Sequence, residues 1–84
     1  VKDGGQGVFE YNEIEDNGQA GVAVSDGSNP TFSNNDINRN GREGIYVEDA
    51  AGIFNKNTIR DNVLGPWYVC EKSLPRIKRE GNKT

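Results

Sequence analysis

The sequence has no histidine, no methionine, one tryptophan and a single cysteine. Without histidine, the commonest zinc ligand and the usual general base at neutral pH are both missing. The lone thiol, Cys70, excludes an internal disulfide. Long apolar runs are also missing. Nothing approaches the roughly 20 consecutive apolar residues of a membrane-spanning helix, so no membrane partner is expected. Positive charge is in the minority, with 10 Lys and Arg against 13 Asp and Glu. The only basic run is Arg76-Ile77-Lys78-Arg79, which is short enough to be ordinary solvated surface. Nucleic acid is therefore not an expected partner.

Eighty-four residues suffice for one domain. Apolar residues make up 32% and glycines number 11, a composition that also suits a disordered linker. The order of the residues removes that reading. Asn12-Glu13-Ile14-Glu15-Asp16-Asn17 recurs as Asn35-Asp36-Ile37-Asn38-Arg39-Asn40 and again as Asn57-Thr58-Ile59-Arg60-Asp61-Asn62, with steps of 23 and 22 residues. Gly21-Val22-Ala23-Val24 keeps the same phase with Gly44-Ile45-Tyr46-Val47 and Pro66-Trp67-Tyr68-Val69. Gly7-Val8-Phe9 keeps it with Pro30-Thr31-Phe32, Gly52-Ile53-Phe54 and Pro75-Arg76-Ile77, and Val1-Lys2-Asp3 with Val24-Ser25-Asp26.

A fixed period of this length defines a solenoid. Short alternating runs broken by Gly, Pro and Asn are strands joined by tight turns, and no helical periodicity competes. The expected fold is all-β, a right-handed parallel β-helix of about three and a half coils of 22–23 residues, each stacked about 4.8 Å from the last. Side-chain alternation sends Val1, Val24, Val47 and Val69 inward, with Phe9, Phe32, Phe54 and Ile77, Ile14, Ile37 and Ile59, and Val22 and Ile45 as further columns. The asparagines are expected at corners, where Asn tolerates left-handed backbone and its amide bonds the turns above and below. We read residues 1–84 as one segment, regular over 1–65 and irregular over 66–84. Because the chain stops at Asn82-Lys83-Thr84, inside another Asn-x-Ile unit, it is expected to belong to a longer solenoid. Its strand edges are expected to pair with another copy in isolation.

Gly7-Val8-Phe9-Glu10-Tyr11-Asn12-Glu13-Ile14, Gly21-Val22-Ala23-Val24 and Ser28-Asn29-Pro30-Thr31 resemble the right-handed β-helix repeats of the pectate-lyase-like superfamily. Within it they are similar to carbohydrate-binding and sugar-hydrolase repeats, and to the substrate-receptor regions of certain F-box ubiquitin ligase proteins. The resemblance covers about residues 1–69 and implies a fold rather than an activity. The F-box is not in this chain. Nor is the Asp-Pro-His-Glu type motif of β-helix epimerases, so no catalytic residue is carried over.

Several local features suggest chemistry. Asp36-Ile37-Asn38-Arg39-Asn40-Gly41 opens like an EF-hand loop, but the twelfth position is Val47 where a bidentate acid is required. Asn82-Lys83-Thr84 matches a glycosylation sequon. Tyr46 and Tyr68 fall with Ala23 on an outward strand face, beside Ser25, Glu48 and Cys70, with Asp26, Asp49 and Glu71 at the adjacent corner. Aromatic rings beside carboxylates suit a sugar or an extended peptide, although tyrosines also favour strands and acids favour turns for structural reasons alone. Trp67 occupies the column of Val22 and Ile45, so either the coil widens around it or it turns outward. The expected binding residues are Tyr46, Tyr68, Glu48, Asp26, Asp49 and Trp67, with no catalytic residue, cofactor or metal. The expected function is a non-catalytic module engaging a protein or glycan along a flat strand face. The alternative is a fragment of a lyase- or epimerase-like carbohydrate-active enzyme whose catalytic residues lie elsewhere.

Overall fold

A computed structural model describes residues 4–84. The expected phase match of Val1-Lys2-Asp3, and the inward place of Val1, lie outside the described residues. The strands are β1 (Val8–Glu10), β2 (Glu13–Glu15), β3 (Val22–Ser25), β4 (Thr31–Ser33), β5 (Asp36–Asn38), β6 (Ile45–Glu48), β7 (Gly52–Asn55), β8 (Thr58–Arg60), β9 (Trp67–Val69) and β10 (Ile77–Glu80). A 3-10 turn, Leu74–Arg76, precedes the last.

All strand pairing among the described residues is parallel, and each strand from β1 to β7 pairs with the one three places on. The sheets are β1-β4-β7-β10, β2-β5-β8 and β3-β6-β9, which makes three coils and the start of a fourth. The register is the repeat itself: Ile14 faces Ile37 and Ile37 faces Ile59, Phe9 faces Phe32 and Phe32 faces Phe54, and Val24 faces Val47. The fold is thus the all-β parallel β-helix expected from the sequence. Parallel stacking forces this outcome, because a slip of one residue would turn each apolar column outward.

The core is thin and continuous. Val22, Val24, Phe32, Ile37, Ile45, Val47, Ala50, Phe54 and Ile59 are buried, and Phe9, Phe32 and Phe54 stack with centroids 4.7 and 5.6 Å apart. Two glycines let coils approach this closely. A Cβ on Gly44 would collide with Ile59 Cγ2, and one on Gly21 would lie 2.7 Å from Ile37 Cγ2.

The asparagines form two ladders along the corners. Asn35 Oδ1 accepts the Asn12 backbone N–H at 3.0 Å and the Asn12 amide at 3.2 Å. Its own Nδ2 donates to Asn57 Oδ1 at 3.0 Å and to the Phe9 carbonyl at 2.9 Å. Asn17, Asn40 and Asn62 repeat the pattern. The left-handed conformation, however, does not fall on the ladder asparagines. It falls on the residue before each: Tyr11, Asn34, Lys56 and Gly81, and Asp16, Arg39 and Asp61. The ladder amide must point into the coil, so the preceding residue takes the turn. Even lysine and arginine are held there, at about 1–2 kcal/mol each.

The last coil departs from the expected register. Ile77 does not stack on Phe54; it faces Gly52, and Arg79 faces Phe54. The step from Asn57 to Asn82 is 25 residues, against 22 from Asn35 to Asn57, so three residues are added (25 − 22 = 3). They are absorbed by the turn and 3-10 segment between Val69 and β10, and Arg79, two positions beyond the expected Ile77, comes to face Phe54.

Candidate functional site

Strands β3, β6 and β9 send alternate residues out of the coil. Val22, Val24, Ile45 and Val47 are buried, while Ala23, Tyr46 and Tyr68 lie in register on the outer surface. One coil of rise nearly equals the thickness of stacked rings, so Tyr46 and Tyr68 lie face to face with centroids 4.7 Å apart and planes 16° apart. Tyr46 Oη donates to Glu48 Oε2 at 2.6 Å, two residues along the same strand and on the same side. That hydrogen bond, followed by desolvation and the negative charge of Glu48, pushes the Tyr46 phenol up to about 12.

This shift has a measurable consequence. The folded state prefers neutral Tyr46, so its contribution to stability is present below pH 10 and is lost as the pH rises towards 12. Spectrophotometric titration of the folded chain is expected to show one tyrosine ionising near pH 12, and Glu48→Ala should return it towards the ordinary tyrosine range. A titration curve unchanged by Glu48→Ala would refute the bond as its cause.

The acids do not converge. Asp26 and Asp49 sit in left-handed turns directly after β3 and β6. The Asp26 carboxylate accepts from Ser25 Oγ at 3.5 Å, and Asp49 lies 3.5 Å from Arg76. Glu48 ends β6 and is engaged with Tyr46, whereas Asp49 lies in the turn beside Arg76, so the two neighbours have different partners. Among the described residues no three His, Cys, Asp or Glu side chains gather to hold a metal. Asp36, which would open the EF-hand-like segment, is in β5 with Arg60 at 3.1 Å; the Arg60 guanidinium holds its carboxyl below the usual range.

Trp67 is not on this face. It faces Ile45 on the inward row, half-buried, meeting Phe54 edge-on at 5.4 Å with the Arg79 guanidinium 5.1 Å above its ring. It therefore stays inward at the end of the stack, and the extra residues of the last coil let Arg79 cover it. Cys70, expected outward beside Glu48, is unpaired and half-buried just after β9. Its Sγ accepts the Asp49 N–H at 3.3 Å and lies 3.2 Å from Ser73 Oγ, and these bonds lower its pKa from the ordinary thiol value. The sequon asparagine, Asn82, continues a ladder: Oδ1 accepts from Asn57 and Nδ2 donates to the Phe54 carbonyl at 2.8 Å. A glycan on that nitrogen would break the rung.

Sequence reasoning missed a notch beside Tyr46, about 290 Å³ in volume and lined by Gln19, Ala20, Ala23, Arg42, Glu43 and Tyr46. Glu43 is 8% exposed, and its Oε1 is buried with no hydrogen-bond partner among the described residues. The nearest cation, Arg42 Nε, is 3.6 Å away, an ion pair but too long for a hydrogen bond. The signal was available as a break in a column, since Glu43 stands in phase with Ala20 and Gly65, an acid between two small residues.

Compared with known proteins, residues 1–83 match a family model described as a right handed beta helix region. No curated protein and no solved structure matches the chain.

Proposed function

The chain belongs to the right-handed β-helix family, and from that premise we propose that it is a non-catalytic binding module whose outward β3-β6-β9 face engages a protein or glycan. The observation that carries this is the Tyr46–Tyr68 stack, an ordered pair of rings on a strand face with one ring 42% exposed. Rigid tyrosines offer contact area at low entropic cost, and they are enriched where partners bind. The resemblance of the coils both to pectate-lyase-like repeats and to ligase substrate receptors is the reason for naming glycan and protein together. A catalytic role for the face has less support. Tyr46 is a poor base or nucleophile with its phenol pushed to about 12, and Glu48 is committed to it.

The test is a binding panel of neutral and acidic oligosaccharides and of basic and acidic peptides, measured on the intact chain. Tyr46→Ala/Tyr68→Ala is expected to weaken the retained ligand at least about tenfold with the β-sheet circular dichroism of the folded chain retained. Undiminished binding by that variant, or no binding across the panel, overturns the proposal. Cleavage of any oligosaccharide would favour the enzymatic alternative. The fold also supports self-pairing in isolation, since β1 and β10 each have one strand neighbour among the described residues. Sedimentation should show association that grows with concentration, and a monomer at high concentration contradicts it.

A further inference from the structure

We infer that the notch beside Tyr46 is a subsite for a lysine side chain of an extended basic polypeptide, with the Glu43 carboxylate as its counter-charge. This rests on the binding-face reading above and names the partner chemistry. Three observations converge. First, among the described residues the Glu43 Oε1 atom is buried without a hydrogen-bond partner, which is costly until a donor arrives. An ammonium is compact and carries three donors, so it can supply one while neutralising the charge. Second, the notch has apolar lining residues: Ala20, Ala23 and Tyr46 are among those that border it. A butyl stem can lie against those groups, and a cation beside an aromatic face gains further attraction. Third, the surroundings are acidic. Glu43, Glu48, Asp26 and Asp49 outnumber Arg42 and Arg76 on this face, in a chain of net charge −3.

Arg42 sets the competition. Its side chain is 53% exposed and stands 3.6 Å from Glu43 Oε1, so it repels an incoming cation without satisfying the oxygen. Removing its charge should tighten the site.

The experiment is an amide-resolved NMR titration of the intact chain at low salt. The probe is a blocked Gly-Ser-Lys-Ser-Gly peptide, with its norleucine counterpart and a neutral oligosaccharide as comparisons. The lysine peptide is expected to bind in the range of about 1 mM, shifting the amides of Glu43, Gly44 and Tyr46. The norleucine peptide should bind at least about tenfold more weakly, a difference of about 1.4 kcal/mol. Glu43→Gln should lose about tenfold while keeping the melting temperature, Arg42→Gln should gain severalfold, and Ala20→Leu should block the notch with Glu43 intact. Equal binding of both peptides, an unchanged constant in Glu43→Gln, or no binding at all overturns the inference. If lysine selectivity fails but Tyr46→Ala/Tyr68→Ala still abolishes capture of another ligand, the subsite falls and the binding face stands. If both fail, the face falls with it.

Discussion

Replacing Asn57 by alanine is expected to remove about 3–6 kcal/mol of stability, enough to unfold most of the chain at ambient temperature. Asn57 is fully buried and its side chain serves both neighbouring coils. Oδ1 accepts the Asn35 N–H and amide, while Nδ2 donates to Asn82 Oδ1 and to the Phe32 carbonyl. Alanine leaves the Asn35 N–H and the Phe32 carbonyl without these partners in a dry corner, at roughly 1–3 kcal/mol for each group. Asn57→Asp separates the two functions, because a carboxylate keeps the acceptor and loses the donor. That variant should be about as unstable at neutral pH and should recover as acidification restores an O–H donor. Asn12, exposed at the other end of the ladder, donates a single amide bond to Asn35, so Asn12→Ala should cost about 1 kcal/mol or less. Urea unfolding followed by circular dichroism measures all three. Equal losses at positions 12 and 57 would mean that the ladder is not a structural spine.

Phe54→Ala should cost about 3–5 kcal/mol. Phe54 is completely buried, stacked on Phe32 at 5.6 Å with planes 5° apart, and struck edge-on by Trp67. Truncation leaves a cavity that a solenoid cannot readily close, since each coil is fixed by backbone pairing to the coils on either side. Phe9, 36% exposed at the end of the same column, should cost far less, about 1 kcal/mol. Trp67 provides a second reading. Its fluorescence should shift to the red in Phe54→Ala and hardly at all in Phe9→Ala. The same emission spectrum in both variants would refute the packing described.

The acidic and basic side chains on the β2-β5-β8 surface contribute less. Arg39 reaches back one coil to Glu15 at 2.8 Å and Asp16 at 3.1 Å, but the pairs are exposed and screened. Their main effect is on register, since each guanidinium fits only the carboxylates that the correct stacking places above it.

The notch and the two asparagine ladders differ in how visible they were beforehand. The Asn-x-Ile-x-x-Asn phrase could be read from one coil to the next, because parallel stacking sets equal positions over each other and selects like residues in each column. The tyrosine pair was legible for the same reason. Glu43 was not, because its significance comes from what surrounds it: the small neighbours of adjoining coils, the distance to Arg42 and the lack of a donor. Trp67 was ambiguous in a column of valine and isoleucine until Arg79 was found above it.

The sequence alone therefore determined the period and, from β1 to β9, the parallel register and the inward columns, since these are one-dimensional regularities that repeated backbone pairing converts directly into space. Only the tertiary structure decided which residue takes the left-handed turn, how three added residues shift β10, and where a buried carboxylate is left without a donor. Each of those depends on through-space geometry between coils, which no spacing along the chain specifies.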